Sequence, residues 1–510
     1  VSQPDGAHGR PGIAFTLNGR SVDVDPVDAS LLDALRGPLG VRSVKDGCSP
    51  QGQCGCCTVL VDGQPRVACV TPLARVAGRD VTTLEGLAGA GEWCARFGAA
   101  GATQCGFCTP GIIVRAAASH PTHDTAARQL LLAHLCRCTG WNTVVEAITG
   151  RTAAAECVDP AAAARRAQLE GGGPQSVGAH VAGGGGGFAA DTAPDGCLIA
   201  LLDQRGEWVV GETMTEARRL AARVQGRRTT EALHWPVAVP PGEWLATLQT
   251  TWVEPAYLEP DASWCLPGGE PTSPLANGGA FGGKTESGVA AAARRLADLH
   301  GRAVLAQYLR EDVARLGPKR PPIAAGIGHD GRVVVHAART AGLAELLAGL
   351  DVQLVEHDVA GPPTSLALRG AGWVEVAVLR SRLAAAPDQV VAPGGGQAWA
   401  TVDDHGVHVG VRCGVPLDPT VLRSYCIGAA HMALGWVRSE GIAVDEAGAV
   451  HDLTIRSFGV LRAVDTPPIT VEIIADDAEP VNGSDAVFAA VAAAAWRHSG
   501  WAPRWPTMRT

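Results

Sequence analysis

Asp46 to Val61 read D-G-C-S-P-Q-G-Q-C-G-C-C-T-V-L-V, and Cys69 follows at the end of the next apolar stretch. Cys48, Cys54, Cys57 and Cys69 give C-x5-C-x2-C…C, one residue longer in its first gap than the plant-type [2Fe–2S] spacing. A two-iron cluster needs four thiolates converging on an anionic core, with backbone N–H groups turned toward the sulfurs. Gly47, Gly52 and Gly55 let a loop wrap that tightly. Cys56 adjoins Cys57, so its side chain is expected to point away, and it is read as a non-ligand.

The neighbouring sequence sets this loop in a small α+β domain, assigned to residues 1–80. Residues 13 to 24 alternate around Asn18-Gly19, a strong hairpin signal, and a second hairpin turns at Asp62-Gly63. Between them a short helix starts near Ser30, with Ser30 or Asp28 as its cap. From 81 to 150 the pattern turns helical. Thr109-Pro110 opens a helix running to His120, and Thr125 to Leu135 forms another. Cys105 and Cys108, in Q-C-G-F-C-T-P-G, precede the first of these. Its N-terminal partial positive charge suits a reduced cluster. Cys136 and Cys138, in L-C-R-C-T-G-W, follow the second. A C-x2-C and a C-x-C on paired helix ends can close one four-thiolate site. By spacing alone, structural zinc stays open for either quartet.

At 510 residues the chain has room for two to four domains. A formal charge of −9 and the absence of a Lys/Arg run speak against a nucleic-acid partner. No apolar run approaches the roughly 18 residues of a membrane span, and the first residues carry no h-region, so a cytoplasmic protein is expected. Of 15 cysteines, those outside the Cys48–Cys138 stretch are Cys157, Cys197, Cys265, Cys413 and Cys426, read as buried small apolar residues. His120, His123 and His134 are read as structural. Residues 151–190 are Ala-rich and then Gly-rich, and read as a linker with little to pack; Gly183 to Gly187 is a connector rather than a phosphate loop. Residues 191–510 are mixed α/β, with helices expected at 287–300, 424–439 and 484–497.

The combination G-C-x5-C-G-x-C-T-V, Q-C-G-F-C-T-P-G and L-C-R-C-T-G-W resembles the iron–sulfur part of the molybdenum hydroxylases: xanthine dehydrogenase, aldehyde oxidoreductase and aerobic carbon monoxide dehydrogenase. The resemblance implies a β-grasp ferredoxin domain and a helical domain, each with one [2Fe–2S] cluster, and Gln104 and Cys138 approaching a molybdopterin. Residues 191–510 resemble the molybdenum-binding subunit in pieces: E-P-A-Y-L-E-P, N-G-G-A-F-G-G-K (Asn277–Lys284), L-R-G-A-G (Leu368–Gly372) and P-L-D-P-T-V-L. By this likeness Gly279, Phe281 and Gly282 belong to a loop on the molybdopterin side. Much of the family's cofactor-holding sequence between these pieces is absent. G-S-D-A-V-F-A-A puts Ala489 where the family has its general-base Glu, with Phe488 beside it. A methyl group accepts no proton, so no residue of this chain is assigned a catalytic role.

The resemblance therefore implies an iron–sulfur electron-transfer chain fused to a shortened, degenerate large-subunit-like region. It would serve a catalytic molybdopterin subunit as partner, and a flavin subunit or a soluble electron carrier would take the electrons onward. Family members hydroxylate aldehydes or N-heterocycles. Two rivals stand beside this: a self-sufficient compact hydroxylase, and a non-enzymatic redox sensor or assembly protein.

Overall fold

Ile13–Leu17 and Arg20–Val24 pair antiparallel across Asn18-Gly19, and Thr58–Val61 and Gln64–Val67 do so across Asp62-Gly63. Asp80–Thr82 runs between the two hairpins and completes a mixed five-stranded sheet. The Leu31–Arg36 helix buries Leu31, Leu32, Ala34 and Leu35; Ser30 and Asp33 close a capping box at its start. This is the β-grasp expected from the sequence. The computed structural model describes residues 12–25, 29–151, 159–227, 229–272, 279–284, 287–383, 389–474 and 476–508. The alternative cap Asp28, Cys157, and Asn277 and Gly278 of the glycine loop lie outside these.

The helical part contains Ala90–Ala99, Thr109–Ala117, Asp124–Leu130 and Asn142–Thr149. The second expected helix stops at Leu130, and one 3-10 turn then leads toward the Cys136 loop. Among the described residues, the remainder is built on three four-stranded sheets. Two helices of the last part, Pro419–Arg438 and Ser484–His498, are buried along most of their length, and the second lies across the Gln397–Val402 strand. Helices apolar on every face belong in the middle of a large core. Among the described residues no helix is long and apolar enough to cross a membrane.

The Ala/Gly-rich stretch departs from its reading as a loose linker. Pro160–Gly171 is a helix capped by Asp159, and shorter helices follow at Ala179–Ala182 and Ala189–Thr192. Composition hides the reason, because the anchoring falls to a few charged side chains. Arg166 is fully buried, donates to the carbonyls of Pro416, Val481 and Val415 at 2.7–2.9 Å, and pairs with Glu170 at 2.9 Å. The glycine run also lies close to its surroundings: a Cβ on Gly186 would meet the Cys105 carbonyl at 2.4 Å. Small residues are needed where backbone meets backbone.

Candidate functional site

The loop from Gly47 to Cys57 brings its thiols together with Cys69. The Cys48 thiol contacts those of Cys54 and Cys69, and Cys57 contacts Cys69. The second quartet forms a similar chain. Cys105 and Cys138 lie 3.6 Å apart, Cys138 touches Cys136, and Cys136 touches Cys108. Hydrogen bonds from flanking thiols pull Cys48 and Cys136 well below the ordinary thiol range; their partners Cys54, Cys69, Cys108 and Cys138 are pushed up. Backbone N–H groups also face sulfur, from Gln53 to Cys48 and from Cys69 to Cys57, each at 3.4 Å. Each quartet is a chain of four neighbouring thiols, and a two-iron core takes two thiolates on each iron.

The donor set therefore fits two-iron groups: four thiols per site, buried or nearly so, with N–H groups aimed at the sulfurs. Glycine is required around them. Gly55 has φ +75°, and a Cβ there would lie 2.6 Å from the His134 ring; one on Gly47 would meet Cys54 Sγ at 3.0 Å. Cys56 is fully buried and its thiol faces the Cys54 carbonyl at 3.9 Å. Against the expectation that it points away, its thiol also contacts that of Cys54, and its charge neighbours include Cys57, Cys48 and Cys105. A Cβ on Gly111 would meet the Gly55 carbonyl at 2.5 Å, so the first loop and the helix that follows Cys108 are in backbone contact.

The histidines near these quartets have structural partners. His134 is buried and lies 3.3 Å from the Thr58 hydroxyl, and His123 caps its helix by accepting from the Ala126 N–H. His120 packs by Trp93, with centroids 6.0 Å apart. Cys265, Cys413 and Cys426 are buried and Cys197 is half-buried.

The scattered motifs of the later region also meet. Arg369 stacks over Phe281, 3.5 Å from the ring centroid, and approaches Asp485 at 3.5 Å. Burial lowers the Arg369 pKa to about 10 against the pull of Asp485. Gly282 has φ +90°, and a Cβ there would strike the Ala367 carbonyl at 2.4 Å; a Cβ on Gly279 (φ +81°) would meet Cys138 Sγ at 2.8 Å. The glycine loop thus touches the second quartet. Gln104 donates to the Cys138 carbonyl at 3.0 Å and to Ser424 at 3.1 Å.

The space these motifs surround is nearly filled. Phe488 stacks on Trp436 with centroids 5.5 Å apart, and the Arg320 guanidinium lies 4.1 Å from the Trp436 centroid. Arg320 is held by Glu375 at 2.8 Å, and Arg137, in the second cysteine loop, is held by both oxygens of Glu440 at 2.6 and 2.7 Å. A cavity of about 30 Å³ remains. That holds about one water, whereas pockets for cofactors run to roughly 300–1,000 Å³. Glu170 closes the N-terminus of the Ser484–His498 helix, accepting from the Gly483 and Ser484 N–H groups at 2.8–3.2 Å. Among the described residues, the space beside Phe281 and Arg369 is far smaller than a cofactor pocket. Sequence reading missed Arg137, Arg320, Glu375, Glu440 and Glu170: Arg137 lies inside the L-C-R-C-T-G-W motif but only its cysteines were singled out, and each of the five acquires its role from a partner distant in the chain.

Fold and donor set define an iron–sulfur protein with two [2Fe–2S]-binding domains joined to a larger α/β region. Residues 15–79 match the 2Fe-2S iron-sulfur cluster binding domain family and residues 83–149 the [2Fe-2S] binding domain family. The chain is 38% identical over 145 residues to the xanthine dehydrogenase iron-sulfur-binding subunit of Escherichia coli O157:H7, covering 91% of that protein and 27% of this one. It is 40% identical over 148 residues to the nicotinate dehydrogenase small FeS subunit of Eubacterium barkeri, again covering 91% of that protein and 27% of this one. The whole fold is like that of the aldehyde oxidoreductase of Desulfovibrio desulfuricans, with TM-score 0.61 and 14% identity over 95% of this chain and 97% of that one. The chain belongs to the molybdenum hydroxylase family, as an oxidoreductase component bearing the family's iron–sulfur domains.

Proposed function

We propose that this chain is the electron-transfer component of a molybdenum hydroxylase complex whose molybdopterin sits in a partner subunit. Cys48, Cys54, Cys57 and Cys69 would hold one two-iron group, and Cys105, Cys108, Cys136 and Cys138 the other; when bound, each group accepts and releases one electron. Residues 1–80 and 81–150 form the two cluster domains, and 191–510 is a structural element in the position of a large subunit. The observation that carries this reading is the closed space beside Phe281 and Arg369, where Phe488, Trp436 and about 30 Å³ replace a cofactor pocket.

This chain's residues then have simple tasks. The glycine loops let backbone N–H groups face sulfur, and burial keeps water from the thiolates. Contact between the loop at Gly55-Cys56 and the helix at Gly111 keeps the two groups close. The second quartet, beside Gln104 and Gly279, is the entry side for electrons from a partner, and the first is the exit toward a flavin subunit or a soluble carrier. Metal analysis with native mass measurement tests this. We expect iron and sulfide for two clusters on the chain, and molybdenum only in a complex with a second subunit. One molybdenum per isolated chain, with oxidation of an aldehyde or N-heterocycle, overturns it.

A further inference from the structure

A second, larger cavity lies away from the glycine loop. It measures about 730 Å³ and runs between the Leu31–Arg36 helix and the 188–199 segment. It opens beside both quartets: its wall includes Asp46, two residues before Cys48, and Phe107, between Cys105 and Cys108. Phe107 meets Phe188 edge to face, with centroids 5.0 Å apart, and a Cβ on Gly47 would touch both the Phe107 ring at 3.1 Å and Cys54 Sγ at 3.0 Å. The Phe107 ring thus spans from the first cysteine loop to the cavity.

The wall charges narrow the ligand. Arg36 and Lys45 are both paired to Asp191, and Arg218 bridges Asp33 and Asp46 at 2.6 Å. Lys284 is paired to Glu259 and Arg302 to Glu212, while Arg42 lies 3.7 Å from Asp195. Asp23 and Asp25 add further negative charge. Among the described residues, each cation named around the cavity already faces a carboxylate, which leaves an anionic phosphate poorly served. Leu32, Ile199, Met214 and Leu305 give the rest of the surface an apolar character.

We infer that this cavity binds a planar, uncharged aromatic electron acceptor of the quinone class and is the exit for electrons from the clusters. The inference rests on the electron-transfer reading above and gives it an acceptor. With both groups bound, each would supply one of the two electrons the acceptor needs. The quinone is reduced, its two C=O bonds becoming C–O–H as two protons arrive from water. A volume of this size suits a two-ring compound with room for a substituent.

Titration calorimetry of the purified full chain with menadione, and separately with flavin mononucleotide, tests the site. We expect saturable binding of one menadione per chain, at least about tenfold tighter than the phosphorylated flavin. Ala193→Trp and Ala190→Phe, both within the cavity wall, should each weaken menadione about tenfold or more while leaving the iron–sulfur visible absorption unchanged. In anaerobic stopped-flow mixing, the chemically reduced chain should regain its visible absorption with menadione, and more slowly in both variants. Full cluster absorption with no saturable menadione binding, tighter flavin mononucleotide binding, or indifference to both substitutions overturns the inference alone. A chain without cluster absorption overturns the electron-transfer reading with it.

Discussion

At the scale of single residues, thiols and glycines divide the work. Cys48→Ala and Cys105→Ala should each remove about half the iron and one of the two reduced-state paramagnetic signals, whereas Cys56→Ala keeps the full iron content. Iron assay with electron paramagnetic resonance checks this, and loss of iron in Cys56→Ala would contradict the ligand assignment. His431, near the second quartet, supplies a pH test. It is wholly buried, with Nε2 3.1 Å from the Leu461 carbonyl, and burial, assisted by Arg137, lowers its pKa to about 4. Above the ordinary value near 6.5 the imidazole is neutral in both states and contributes no pH dependence. As pH falls from there toward 4, the unfolded chain takes up the proton and the folded one does not, so stability declines, by about 3 kcal/mol. His431→Gln should flatten that part of the urea-stability profile; an unchanged slope would refute it.

The Pro160–Gly171 helix carries the argument at the scale of elements. Its Glu170 carboxylate meets the free N–H groups that begin the Ser484–His498 helix, and the helix-terminal partial charge favours an anion there. Glu170→Ala leaves Arg166 buried without its acid and the Gly483 and Ser484 N–H groups without their acceptor, Asn482 still holding the Asp485 N–H. The expected loss is about 3–5 kcal/mol of unfolding free energy, read by urea denaturation. A loss below about 1 kcal/mol would mean that the helix is a passive passenger. The same contact explains why alanine and glycine composition misled: a stretch poor in apolar bulk can still be fixed by one buried ion pair and close backbone approach.

Across the whole molecule, the cysteine domains and the later region share one interior. The core around Phe15, Leu31 and Ile112 also contains Trp252, Leu258, Ile442 and Phe458. Restoring the family's residues locally should therefore not restore a cofactor site. The double variant Phe488→Gly, Ala489→Glu removes a ring stacked on Trp436 and buries a carboxylate at a fully enclosed position. We expect about 4 kcal/mol or more of destabilisation and no bound molybdenum. Elemental analysis of that variant showing stoichiometric molybdenum would reverse the interpretation of residues 191–510.

The sequence alone determined the hairpins at Asn18-Gly19 and Asp62-Gly63, the helix starts at Ser30 and Thr109, and the eight cysteines that meet in two groups. All of these are local: turn residues, caps and short ligand spacings act over a few residues, so linear order carries them. Tertiary structure alone decided that 160–192 packs, that Arg137 pairs with Glu440 and Arg320 with Glu375, and that Phe281, Arg369 and Phe488 line a cavity of only about 30 Å³. Those facts depend on volumes and on charges brought together from positions tens to hundreds of residues apart, and no pattern along the chain encodes a volume.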